Sequence, residues 1–360
     1  MDLKPYLEDL EKRIDPHMED QLEKEWLAFA DGKCTALFFS VARPVSVPTV
    51  DYPPMYVNDA FEAEVLMVYQ QLRLVSQELA SGKGNLLNVR ANYGTGIIPS
   101  MFGAEMFYLD TVLDTLPCTK PLADKENGIR RILSEGKNDF AAGLAGKVFR
   151  FAQCYAQAVA PYPKLKRYLH VYAPDLQGPF PLVDSLWGGD VYMAFYDDEE
   201  LLHEALTYMT NVYLDFYRRW IALFPAFDKD HSVEWGLLHR GGVIIRNDAC
   251  MNISGSMYEE FVKPYDQRIL NEAGGGVHFC GRGDHYIDYV CAMNNISCIN
   301  LSQPHLNDME KIYHASVDHN IAIIGLPEEE TLRAAAEGRS LRGLVHSGAS
   351  LAAWENKAKV

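Results

Sequence analysis

The chain has 360 residues, 48% of them hydrophobic, and a formal net charge of −16. That length supplies ample core for one large domain or two smaller ones. The acidic surplus argues against nucleic acid or an anionic membrane surface as a partner, and no stretch approaches the roughly 20 apolar residues of a membrane span.

The N-terminus, MDLKPYLEDLEKRIDPHMEDQLEKEW, is charged and helical in pattern, unlike a signal peptide. It predicts a cytoplasmic protein with a helical extension over residues 1–30. Beyond it, short apolar, β-branched or aromatic runs recur at 36–42, 85–91, 167–175, 241–248, 274–281, 297–304, 320–327 and 342–348. Amphipathic helical stretches lie between them. One opens on Asp197 and Asp198, with acids where the helix dipole favours them. Another is expected to follow Ser256, with Glu259 completing a capping box. Strand then helix, repeated to eight, predicts an α/β fold: a (β/α)8 TIM barrel as one domain over 31–360. The segments 92–166 and 176–240 are long for single crossovers and are expected to carry helical insertions over the barrel mouth. The seven cysteines are odd in number and show no disulfide spacing, which fits a reducing compartment.

In such a barrel the chemistry lies at the C-terminal ends of the strands. Asn92 and Tyr93 fall there after the second run, Asp175 and Gln177 after the third, and Asn247 and Asp248 after the fourth. Ser302 and Gln303 follow the sixth run, and His346 lies in the eighth. The fifth run ends in GGGVHFCGRGDHY, with His278 and Cys280 two apart. In a strand, positions i and i+2 share a face about 7 Å apart, close enough to share a soft divalent ion. Three or four ligands are usual for zinc, and the same pair also suits a half-buried strand with a core cysteine. His231 and His239 are expected to be solvated or capping, and Cys291 and Cys298 to be packing residues. No GxGxxG, Walker or GxSxG pattern is present.

HFCG at the end of this strand resembles the H-x-C-G motif of the uroporphyrinogen decarboxylase superfamily. That group includes the decarboxylases and the zinc-dependent corrinoid methyltransferases. KEWLAFADGK is similar to the family's opening helix, and YGTGIIPSMFGAEM resembles its Gly-rich segment after the second strand. GPFPLVDSLWGG with YDDEELLHEALTYMTNVYLDF resembles its G-P-F turn and D-x-E-L helix. GGVIIRNDACMNISGSMYEEFVKPY is similar to the strand, acidic turn and P-Y helix before the H-x-C strand. The resemblance runs from about residue 24 to 349.

The resemblance implies a zinc-dependent methyltransferase. It would move a methyl group from a corrinoid on a partner protein to a small thiol-type acceptor. Zinc would sit on His278 and Cys280. The family's third ligand, a cysteine after the last strand, is replaced here by Ala349 following Gly348, with His346 as the available substitute. Asp248, Asp175 and Tyr93 are the expected catalytic residues, and Asn92, Gln177, Asn247, Gln303 and Arg43 the expected substrate-binding ones. The alternative is a decarboxylase, in which Asp248 or Asp175 stabilises a protonated pyrrole-like intermediate. The decarboxylases' R-Q-x-G-R segment is represented only by Arg43, which counts against uroporphyrinogen as substrate. A third reading is a barrel without catalysis that serves as a binding protein. The sequence leaves open whether the chain forms a homodimer.

Overall fold

The computed structural model describes residues 1–351 and shows a mixed α/β protein with a parallel sheet and many helices. Its residues gather into two compact units. Met1–Ile14, Ser46–Ala80 and Leu87–Pro225 form the first; Asp15–Val45, Ser81–Leu86 and the described residues from Ala226 to 351 form the second. The N-terminal stretch 1–30 therefore contributes to both.

The first unit is mainly helical. Its longest helix, Glu199–Leu223, begins where the sequence pattern places it: Asp198 caps it by accepting from the Leu201 amide, and Glu199 and Glu200 occupy the first turn. Leu202, Leu206, Met209, Tyr213, Phe216 and Trp220 recur at three- and four-residue spacing and are buried, as an amphipathic helix requires. Two short strands, β1 (Asn88–Val89) and β4 (His170–Val171), pair in parallel. Two more, β2 (Met106–Phe107) and β3 (Cys118–Thr119), pair antiparallel. The helix Lys4–Arg13 is tied down through Asp9, which accepts from Arg13 at 2.9 Å, Thr49 at 2.6 Å and Tyr52 at 3.0 Å.

The second unit holds an antiparallel hairpin, β5 (His231–Glu234) and β6 (Leu237–Arg240). It also holds a five-stranded parallel sheet made of β7 (Val243–Arg246), β8 (Gly275–Phe279), β9 (Ile296–Leu301), β10 (Ala322–Leu326) and β11 (Val345–Ser347) in consecutive order. A parallel bridge from Phe39 to His346 continues it. Trp26 and Phe29 of the helix Pro16–Ala30 pack with Phe39, Leu238, Ile244, Cys298 and Ile324 in the core beneath. Gly276 permits close approach of β8 to β9, since a Cβ there would meet the Cys298 sulfur at 2.5 Å.

All eight runs read from the sequence contain a strand or a bridge. The recorded pairings divide them, two in the first unit and six in the second, and do not trace a closed eight-stranded ring among the described residues. The hairpin β5–β6 is an addition inside a stretch expected to be helical. Its two-residue turn is Trp235–Gly236, both at positive φ (53° and 78°). Such turns favour Asn, Asp or Gly at the first position, so a tryptophan there hides the turn from a sequence reading. The capping residue near 256 is also corrected. Ser254, not Ser256, accepts from the Met257 amide at 3.2 Å and starts the helix Gly255–Phe261.

Candidate metal centre

The C-terminal ends of β7, β8 and β9 carry one polar cluster. Parallel register sets Arg246 beside His278, and His278 beside Asn300. Two residues after Arg246 the chain turns at Asp248, and two residues after His278 it reaches Cys280. Asp248, His278 and Cys280 each offer one ligand atom, and these atoms all lie within 4.8 Å of one another. His278 Nε2 is 3.3 Å from Asp248 Oδ1 and 3.4 Å from Cys280 Sγ. The thiol lies 3.5 Å from Ser302 Oγ. His278 is nearly buried, whereas Asp248 and Cys280 are half-buried, so the group opens on one side.

Burial by itself would push the His278 imidazole down. Hydrogen bonds and charge from Asp248 and Cys280 outweigh it and raise the group to about 9. The carboxylate beside the ring therefore favours positive charge at this point of the sheet. The ring's other nitrogen, Nδ1, contacts Asn300 Oδ1 at 2.6 Å. Its edge meets Trp235, with ring centroids 5.4 Å apart. Trp235 in turn lies under the Arg246 guanidinium, 4.7 Å from the ring centroid, and Arg246 is paired with buried Glu234 at 2.7 Å.

Several expected site residues lie elsewhere. His346 is not in the group. It is buried against Trp26, Phe29 and Phe39, and its Nδ1 accepts from the Gly325 amide at 3.2 Å. Burial pushes its imidazole down to about 3, so it stays neutral. Asp248, not His346, lies with His278 and Cys280. Asn247 is fully buried and donates to Asp266 at 2.6 Å. Burial raises that aspartate to about 7 against the hydrogen bonds from Asn247 and Tyr258. Gln303 accepts from the Gly281 amide at 2.6 Å and so fixes the loop after Cys280. Arg43 is buried and paired with Glu19 at 3.2 Å. His231 and His239, expected to be solvated or capping, are both buried. His231 is held between Asp228 at 3.0 Å and Asp31 at 3.3 Å.

The remaining expected residues belong to the first unit. Asp175 pairs with Arg90, Asn92 and Gln177 are buried, and Tyr93 packs edge-on against Phe61. Burial pushes the Tyr93 hydroxyl well above its usual value, so it stays protonated. Sequence reasoning missed Asn300 and Trp235. Asn300 left a usable signal: a lone amide inside the apolar run SCINL, in the strand following the His-x-Cys strand. Trp235 left none.

No protein-family model matches the chain, and no curated protein does. Among solved structures, it is similar to a methyltransferase from Methanosarcina mazei, at 15% identity and a TM-score of 0.60. The likeness covers 94% of this chain and 99% of the other. At that identity it is a likeness of fold.

Proposed function

We propose that the chain is a zinc-dependent methyltransferase of TIM-barrel type. It would take a methyl group from a corrinoid on a partner protein and pass it to a small thiol in a reducing, cytoplasmic setting. The observation that carries this reading is the Asp248–His278–Cys280 donor set, its ligand atoms within 4.8 Å of one another at strand ends. The fold likeness to a methyltransferase supports it. Three protein ligands with one open position is the usual pattern of a catalytic zinc site. Asp248 as carboxylate and Cys280 as thiolate would neutralise a bound dication, and the His278 imidazole would supply the third bond. Bound zinc would lower the pKa of a substrate thiol held at the open position. Methyl transfer to a thiol so activated would form an S–C bond as the cobalt–carbon bond breaks, leaving that electron pair on cobalt. Cys280 and Asp248 present the ligand atoms, Ser302 supports the thiol, and Trp235 walls the imidazole from water on one side.

The test is zinc content after identical purification. Wild type should carry near one equivalent, with Cys280→Ser and Asp248→Asn depleted. Equal content in all three would sink the reading and leave a decarboxylase or a binding protein. A second reading is favoured by one arrangement: Cys280 Sγ on His278 Nε2, with His278 Nδ1 on Asn300, is the order of a Cys–His–Asn thiol nucleophile. Alkylation separates the two. Zinc should protect Cys280 from iodoacetamide if the metal reading holds, and should leave its rate unchanged if it does not.

A further inference from the structure

We infer that Asn300 is the positioning residue that sets the tautomer of His278 and aims its Nε2 lone pair at the Asp248–Cys280 opening. The inference deepens the metal reading above and rests on it for its functional meaning, but the geometry stands apart from any metal. The Asn300 amide is not free to flip. Its Nδ2 donates to the Ile324 carbonyl at 2.6 Å, so Oδ1 must face His278 Nδ1, also at 2.6 Å. A carboxamide oxygen only accepts, so the contact requires a proton on Nδ1. In the neutral ring Nε2 is then the unprotonated nitrogen, and Nε2 is the atom beside Asp248 and Cys280. A ligating histidine ordinarily gives its other N–H to such an acceptor.

The support extends two strands further. The β10–β11 register shifts between Ile323 and Leu326, around Gly325 at φ +69°. A Cβ on Gly325 would meet Asn300 Nδ2 at 3.1 Å, so a side chain there would press on the amide. The Gly325 amide donates to His346 Nδ1 at 3.2 Å. His346 thus props the bulge that seats the residue orienting His278.

Two variants separate orientation from folding. Asn300→Asp and Asn300→Leu both lose the donor to Ile324, but only leucine removes the acceptor for Nδ1–H. Any difference between them therefore reports the His278 contact. In metal-free protein at high pH, where the ring is neutral, histidine nitrogen-15 spectra should show Nδ1–H in wild type and Asn300→Asp. In Asn300→Leu they should show an Nε2–H or mixed population. Zinc affinity by chelator competition should fall roughly 10- to 100-fold in Asn300→Leu and by much less in Asn300→Asp, whatever their melting temperatures. An Nε2–H ring in wild type, or the same tautomer in both variants, overturns the inference. If wild type takes up no zinc while the spectra follow the expected pattern, the metal reading fails and the positioning of His278 by Asn300 is upheld.

Discussion

His278 and His346 sit in the same parallel sheet, on β8 and β11, and both are nearly buried. Burial acts on both in the same direction, against the imidazolium. Yet one is driven up to about 9 and the other down to about 3. The difference lies in what surrounds them. His278 meets a carboxylate, a thiol and an amide oxygen, whereas His346 meets three aromatic rings and one backbone amide. A buried histidine becomes a site only where its neighbours carry charge or lone pairs.

The largest expected effect is on metal uptake. His278→Ala should abolish zinc binding. His346→Ala should retain zinc, with its affinity weakened by less than in Asn300→Leu, while losing about 2–4 kcal/mol of stability, because it empties an aromatic pocket. Elemental analysis beside urea unfolding checks both at once, and the comparison breaks if His346→Ala loses the metal and His278→Ala keeps it.

Next in size are the two pH limbs of the metal-free protein. His346 has its folded value depressed from 6.5 to about 3, so the unfolded chain binds the proton first. Stability should fall as pH drops from about 6.5 towards about 3, by up to about 5 kcal/mol. His278 has its value raised from 6.5 to about 9. Its contribution is fully present below about pH 6.5 and is lost as pH rises through about 9, a change of up to about 3 kcal/mol. Urea midpoints across pH should show a flatter acid limb in His346→Leu and a flatter alkaline limb in Asp248→Asn. If each variant flattened the opposite limb, the assignments would be reversed.

The smallest effect tests the link between the two residues. Gly325→Ala forces a side chain into left-handed backbone and against Leu237 and Asn300, costing on the order of 1–2 kcal/mol. Zinc affinity should fall with it, by less than in Asn300→Leu. Unchanged affinity would mean that the bulge does not steady the Asn300 amide.

How far the sequence carries can be seen in the same residues. The eight strand runs and the His278–Cys280 pair are legible because side-chain alternation is local: two residues apart in a strand means one face. Asp248 is legible as a rim residue because it ends a run. That Asp248 and not His346 lies with that pair is not, since it depends on which strand ends register beside β8. Arg43 and Asn247 look like binding groups in one dimension because their partners, Glu19 and Asp266, lie 24 and 19 residues away. The hairpin is hidden for another reason: Trp235 occupies a turn position where a smaller residue is the usual cue.

That tryptophan also makes the centre visible to light. A protonated imidazole beside an indole accepts an electron from its excited state and dims its emission, and a neutral or metal-bound one does so far less. Trp235 touches His278, so its fluorescence should brighten as the ring gives up its proton or takes a metal. Trp26 lies even closer to a histidine, with ring centroids 4.5 Å apart at His346, but burial holds that ring's value down to about 3, so its emission should stay constant near neutral pH. The protein thus carries its own indicator and its own reference, one beside each histidine.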